Sequence, residues 1–311
     1  MIEVSVRPSY PPHHGQVIGS LNRVHKRYGK HLALDGLSFS LHAGEVVALL
    51  GLNGAGKTTT VRMLLGLSSP TSGEVRLFNG RPGEHAVRKR MAAMLQGGGA
   101  PSDLKVREHI RLFSSYYPNP LSFEVTVELA GLNGLEDRLY GNLSGGQKQR
   151  VMFALAVCGN PDLLILDEPT AALDLESRRA LWEQIKMLPR LGKTVLLTTH
   201  HLEEADMLAD RVVVLQRGKA IAEGSPDELK RTQATRRIRC RTSLSLHTLQ
   251  TLPTVVSVLQ EGELAVLATT DADLVMRALL KQDDQVKDLE VQSVALEDAF
   301  WAITEAQKQN C

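Results

Sequence analysis

No run in this 311-residue chain approaches the roughly 18 consecutive apolar residues that a membrane-spanning helix requires. Apolar runs such as Val46–Leu50 and Leu163–Leu166 are strand-sized. The opening residues, MIEVSVRPSYPPHHGQ, lack the apolar core of a signal peptide and carry prolines where it would lie, so a cytoplasmic protein is expected. Cysteine is sparse. Cys158, Cys240 and Cys311 form an odd set without metal-ligand spacing, which argues against a disulfide scaffold and fits a reducing compartment. Aromatics make up only 4%, so the core must be built from Leu, Val, Ile and Ala. An excess of either charge is missing too: 36 Lys and Arg stand against 35 Asp and Glu, a net +1, which gives no whole-chain reason to expect nucleic acid as a partner.

What is present is a globular composition, 43% hydrophobic and 23% charged, in a chain long enough for a large domain and a smaller one. Residues 1–19, with Pro8, Pro11, Pro12 and the His13–His14 pair, read as a loose N-terminal extension. Beyond it, buried strands at Val46–Leu50, Leu163–Leu166 and Thr194–Thr198 alternate with helices at Thr58–Leu67, Glu176–Leu188 and Leu202–Ala209, and helical periodicity dominates residues 100–160. That alternation predicts an α/β core with a mainly parallel sheet.

After Glu223 the composition shifts, with six basic residues and no acid between Lys230 and Arg241. This stretch reads as a solvated linker and edge strand, with a lipid-facing surface as the alternative. The order that follows is strand 236–242, helix 244–249, strand 255–260, strand 264–269, helix 272–281, strand 286–291 and helix 295–306. It predicts a small ferredoxin-like α+β domain with Asp271 as a helix N-cap.

Gly51-Leu52-Asn53-Gly54-Ala55-Gly56-Lys57-Thr58 fits G-x-x-x-x-G-K-[ST] between a buried strand and a helix, the setting in which backbone N–H groups curl around a phosphate. In that reading Lys57 meets the β- and γ-phosphates and the Thr58 hydroxyl ligates Mg2+. Leu163–Leu166 leads into Asp167 and Glu168, two carboxylates at the C-terminal end of a buried strand, where doubly wound sheets bind ligands. Asp167 is placed to hold Mg2+ through water, and Glu168 to polarise an attacking water. Between the two motifs, Leu143-Ser144-Gly145-Gly146-Gln147 opens a helix. Taken alone, it is either a second anion nest or a capped helix start.

With these motifs in this order, the chain resembles the nucleotide-binding subunit of an ATP-binding cassette (ABC) transporter over roughly residues 20–225. The resemblance implies a P-loop ATPase core with an antiparallel β subdomain and an α-helical subdomain at about 97–160, followed by the accessory domain 226–311. It also implies ATP bound by Tyr28, Gly51, Leu52, Asn53, Gly54, Ala55, Gly56, Lys57, Thr58 and Thr59, and Mg2+ held at Thr58, Gln96 and Asp167. Catalysis would fall to Glu168, His200, Gln96 and Lys57.

Gly97–Gly99 fits a hinge after Gln96, or a plain surface loop. Ser144, Gly145, Gly146, Gln147 and Asp174 are expected to contact the nucleotide of a second copy in a head-to-tail homodimer. The family more often has serine at the position of Ala171 or Ala172, which puts a hydroxyl contact there in doubt, while Asp174 is retained.

Leu202–Asp206, Lys105–Glu108 and Val294–Phe300 are similar to ATPases of ABC-2-type exporters of the daunorubicin-resistance-like group. That implies a separate integral membrane permease, a position at the cytoplasmic face of the membrane and efflux of a drug-like or other cargo. The alternative, a soluble ABC ATPase acting on nucleic acid or ribosomes, is disfavoured by the single cassette, the lack of sustained heptads and the near-zero net charge.

Overall fold

The structure, a computed structural model, describes residues 15–171, 173–232, 236–292 and 295–309. Most of the expected N-terminal extension, with His13–His14, and Ala172, Val294 and Cys311 lie outside these. The chain divides into two compact units, with the boundary between Ser225 and Pro226.

The first unit contains β1 (Val17–Tyr28), β2 (His31–His42), β3 (Val46–Leu50), β4 (Ser72–Leu77), β5 (Met91–Met94), β6 (Leu163–Asp167), β7 (Thr194–Thr199), β8 (Arg211–Gln216) and β9 (Lys219–Gly224). Its main sheet has the order β5-β6-β7-β3-β8-β9, parallel except for β9 at one edge. A separate antiparallel sheet runs β2-β1-β4.

Every residue of β3, β6 and β7 is buried, as expected for parallel strands covered on both faces. The period of two sorts their side chains between two cores. Leu163 and Ile165 of β6, Val47 and Leu49 of β3 and Leu196 of β7 join Leu21, Leu37 and Leu41 of the antiparallel sheet and Val61 and Leu64 of the helix Lys57–Leu64. Leu164, Leu166, Val46, Val195 and Leu197 face the other way, toward Ile110, Phe153, Leu181 and Trp182 on the helices Val106–Ser114, Gly145–Val157 and Leu175–Met187. Cys158 is a fully buried member of this helical core.

The helix expected at 58–67 stops at Leu64. Gly66 takes φ +70°, and the N–H groups of Leu67 and Gly66 turn back to the carbonyls of Arg62 (2.8 Å) and Met63 (3.0 Å), a Schellman stop. Leu67 therefore points into solvent rather than extending the apolar stripe.

The second unit is built from β10 (Arg236–Arg241), β11 (Val255–Glu261), β12 (Leu264–Thr269) and β13 (Lys287–Gln292), with helices Leu246–Gln250, Ala272–Gln282 and Leu296–Gln309. Its antiparallel order, β11-β12-β10-β13, is that of the ferredoxin-like βαββαβ arrangement. Asp271 caps its helix by accepting from the Leu274 N–H at 3.0 Å. The edge-strand expectation for the basic segment is overturned, because β10 pairs on both sides. Ile238 and Cys240 face the core, and the intervening arginines meet carboxylates: Arg237 with Asp298 (3.2 Å), Arg239 with Glu261 (3.4 Å), and Arg241 with Glu263 (2.6 Å) and Asp288 (3.2 Å). A strand carrying alternating charge can be central when the elements around it supply the opposite sign, here β11, the turn that follows it, β13 and the last helix.

Candidate functional site

β3 ends at Leu50 in mid-sheet, and the chain loops through Gly51–Gly56 into the helix Lys57–Leu64. The loop has no room for side chains at two points. A Cβ on Gly51 would lie 2.7 Å from the Leu215 carbonyl oxygen, and one on Gly56, at φ +113°, would lie 2.6 Å from Leu34 Cδ2. The Gly218 N–H pins the loop from behind by donating to the Ala55 carbonyl at 2.9 Å. The helix that follows has no side-chain cap and no acid in its first turn, so its leading N–H groups face the cleft ready for an anionic acceptor.

Lys57 is only 6% exposed. Its Nζ donates to the Gly51 carbonyl at 2.6 Å and lies 4.0 Å from Glu168 Oε1. Burial pulls this ammonium below the ordinary lysine range, with the Glu168 and Asp167 charges acting in the opposite direction.

Glu168 is the hub. Its Oε2 accepts from Gln96 Nε2 at 2.8 Å, and its Oε1 accepts from His200 Nδ1 at 3.1 Å. The residue leaves β6 in a left-handed conformation, φ +50°, held by its N–H donating to the Thr198 carbonyl at 3.0 Å. The Thr198 hydroxyl also donates to Asp167 Oδ1. Thr198 is thus a site residue that sequence reading took only as buried strand. The usable signal is register, since Asp167 and Thr198 are direct partners in the β6–β7 pairing.

These residues line a cleft of about 500 Å3, bounded by Tyr28, Leu52–Thr59, Gln96, Glu168 and His200, together with His31 and Ala33, which the motifs did not indicate. Tyr28 forms the lip, with the Lys26 ammonium 4.9 Å from its ring centroid. Gly51 and Asp167 sit buried behind the lining. A larger hollow of about 580 Å3 around Phe78, Arg90 and Asp162 contains none of the expected site residues. Thr58, Gln96 and Asp167 offer hydroxyl, amide and carboxylate oxygens. Such a sparse set of hard donors suits Mg2+, which completes its shell with phosphate and water, and the described residues contain no cluster of three or more His, Cys, Asp or Glu that would cage a metal.

Ser144, Gly145, Gly146, Gln147 and Asp174 do not enter this cleft. Ser144 caps the helix Gly145–Val157 in a reciprocal box: its hydroxyl accepts from the Gln147 N–H at 3.3 Å, and Gln147 Oε1 accepts from the Ser144 N–H at 3.0 Å. Ser144 and Gly145 are exposed. A Cβ on Gly146 would lie 2.4 Å from Ser177 Oγ, so this turn packs against the first turn of the helix Leu175–Met187. That helix is capped by Asp174, which accepts from the Ser177 N–H at 2.8 Å and is held below the usual carboxylate range by its bonds to Ser177. The two segments thus share one outward surface, away from the cleft.

The family profile described as "ABC transporter" matches residues 34–171. Over 217 residues the chain is 44% identical to Nod factor export ATP-binding protein I of Burkholderia orbicola (strain AU 1054), covering 66% of this chain and 70% of that protein. A solved ATP-binding subunit of an ABC transporter aligns with a TM-score of 0.62 at 30% identity, covering 69% of this chain and 92% of that one. A dimeric ATP-binding cassette in a post-hydrolysis state, bound to ADP and Pi, aligns with a TM-score of 0.59 at 27% identity, covering 67% of this chain and 98% of that one.

Proposed function

The chain belongs to the ABC transporter family and is an ATPase, and from that premise we propose that it powers an exporter whose membrane path lies in a separate ABC-2-type permease. The observation that carries the catalytic part is the convergence of Lys57, Gln96 and His200 on Glu168. The loop Gly51–Thr59 holds the triphosphate through its N–H groups and Lys57. Bound Mg2+ neutralises phosphate charge, with Thr58, Gln96 and Asp167 as its protein donors. Glu168 takes the proton of the attacking water. His200, anchored by donating to Glu168 through Nδ1, is the residue that contacts the γ-phosphate, and Gln96 aligns the water from the other carboxylate oxygen. Tyr28 stacks on the adenine.

Two copies then clasp ATP between the Lys57 loop of one and the Ser144–Gln147 turn and Asp174 of the other. The exposure of Ser144 and Gly145 supports this reading. A test separates capping from nucleotide contact. Ser144→Ala should cost about 1 kcal/mol of stability through the lost cap. Ser144→Asp keeps a capping acceptor and should melt like the native chain, yet the added carboxylate opposes the partner's triphosphate and should abolish the ATP-dependent dimer in size-exclusion chromatography. A dimer retained by Ser144→Asp removes the turn from the nucleotide interface.

Among the described residues no helix is long and apolar enough to cross a membrane. Transport therefore calls for a partner, and we place the subunit at the cytoplasmic face. Residues 20–225 act as the cassette and 226–311 as an accessory domain. The Burkholderia relative is named for Nod factor export, which supports an exporter. The cargo, drug-like or other, is chosen by the permease. Affinity purification from detergent-solubilised membranes should recover an integral membrane protein in stoichiometric amount, and recovery of ribosomes or nucleic acid instead would replace this reading with the soluble-ATPase alternative.

A further inference from the structure

His109 has no place in the mechanism above, yet it is completely buried in the helix Val106–Ser114. Its Nε2–H donates to the Pro101 carbonyl at 3.0 Å, while Nδ1 meets no partner among the described residues. A buried ring nitrogen without a partner carries a desolvation penalty that a leucine of similar volume would not. Pro101 lies just beyond the Gly97–Gly99 stretch, directly after Ala100. Gly97 takes φ +71° and a Cβ on Gly97 or Gly99 would meet nothing within 4 Å, whereas the Gly98 N–H donates to the Leu95 carbonyl at 3.1 Å and a Cβ there would lie 3.2 Å from Met152 Cε, so the three glycines form a short tether between Gln96 and Ala100 that is anchored at its middle.

Past the tether the chain is zipped to the segment that leads into Ser144. The Tyr140 N–H donates to the Leu104 carbonyl and the Gly141 N–H to the Ser102 carbonyl, both at 2.9 Å, and Lys105 bridges Leu139. The Tyr140 hydroxyl bonds the Ala100 backbone, and its ring stands edge-on to His109 with centroids 5.6 Å apart. Tyr140–Asn142 is a short 3-10 turn that ends directly in Leu143 and the Ser144 cap.

We infer that His109 is a positioning residue: by fixing Pro101 to the helical segment that carries Tyr140 and Ser144, it makes Gln96, in the subunit's own cleft, move together with the turn that reaches the partner's nucleotide. When the Ser144 turn seats on the partner's ATP, the 100–104 segment travels with it, and the short glycine tether transmits that travel to Gln96 and its bond to Glu168. Engagement of one site thereby orders the other. This rests on the assignment of Ser144 to the partner's nucleotide made above.

The test uses His109→Leu in the full chain, with His109→Gln, which can again donate to the Pro101 carbonyl, as the rescue. In His109→Leu, amide hydrogen exchange across residues 97–104 should accelerate in the nucleotide-free protein while residues 145–157 keep native protection. The melting temperature should change little, because removing the unpartnered nitrogen offsets the bond lost from the Pro101 carbonyl. The kcat for ATP should drop about ten-fold with KM held within two-fold, and the Hill coefficient should fall to one. His109→Gln should restore exchange, kcat and cooperativity. Native exchange across 97–104 in His109→Leu overturns the clamp, and so does faster exchange with native kcat and Hill coefficient. A Ser144→Asp chain that still dimerises overturns instead the underlying assignment of Ser144, which keeps the two failures apart.

Discussion

Replacing Glu168 by glutamine should cut ATP turnover by about 10²–10⁴-fold while leaving ATP binding intact, the loss expected when a positioned general base is removed. The substitution is close to isosteric. His200 Nδ1 can still donate to the side-chain oxygen, and the backbone bond from Glu168 N–H to the Thr198 carbonyl is untouched, so the cleft should keep its shape. What is lost is the ability to accept a proton from water. The ATP that bridges two copies would then persist, and the variant should elute as an ATP-dependent dimer where the native chain cycles back to monomer. Phosphate release and size-exclusion chromatography with ATP and Mg2+ read the two effects independently. A monomer with native turnover would remove Glu168 from the chemistry.

Lys57→Ala should lose ATP binding itself. Charge-assisted hydrogen bonds contribute about 1.5–3 kcal/mol each, so losing one to the β- and one to the γ-phosphate should weaken affinity by roughly 10²- to 10⁴-fold. The empty protein should not suffer in the same way. Lys57 is buried and its burial disfavours the charge, so alanine removes a desolvated cation along with one bond to Gly51. Calorimetric titration with ATP should therefore fall to background while the nucleotide-free melting temperature stays at or above the native value. Unchanged affinity would count against the whole phosphate loop.

Much of this was legible in the residues alone. The runs at β3, β6 and β7 announce fully buried strands, and the two motifs at their ends identify the cleft because parallel strands present their C-terminal ends together. Other features escaped because they depend on who sits beside whom. Nothing local in Arg236–Arg241 says that β12 and β13 pair with it on both sides, or that β11, the turn after it and β13 supply carboxylates to its arginines, so the pattern alone suggests an edge. Thr198 gains its role from the register with Asp167, and His109 from a loop that folds back onto its helix. The helix after the phosphate loop looked longer than it is because Leu65 and Leu67 continue its apolar spacing, whereas Gly66 ends it through backbone bonds that hydrophobic periodicity does not register.

The backward twist of the chain at Glu168 also decides which solvent that acid inhabits. Had β6 continued for one more residue in extended form, its two-residue rhythm would have sent the Glu168 side chain after Leu164 and Leu166, into the oily layer beneath the helices. A lone carboxylate there would face a penalty of several kcal/mol or give up its charge. A single left-handed residue costs about 1–2 kcal/mol, and that smaller distortion swings the acid over the rim of the sheet, where water can reach it. The strain at this one backbone position is what turns the group out of the core and toward the cleft.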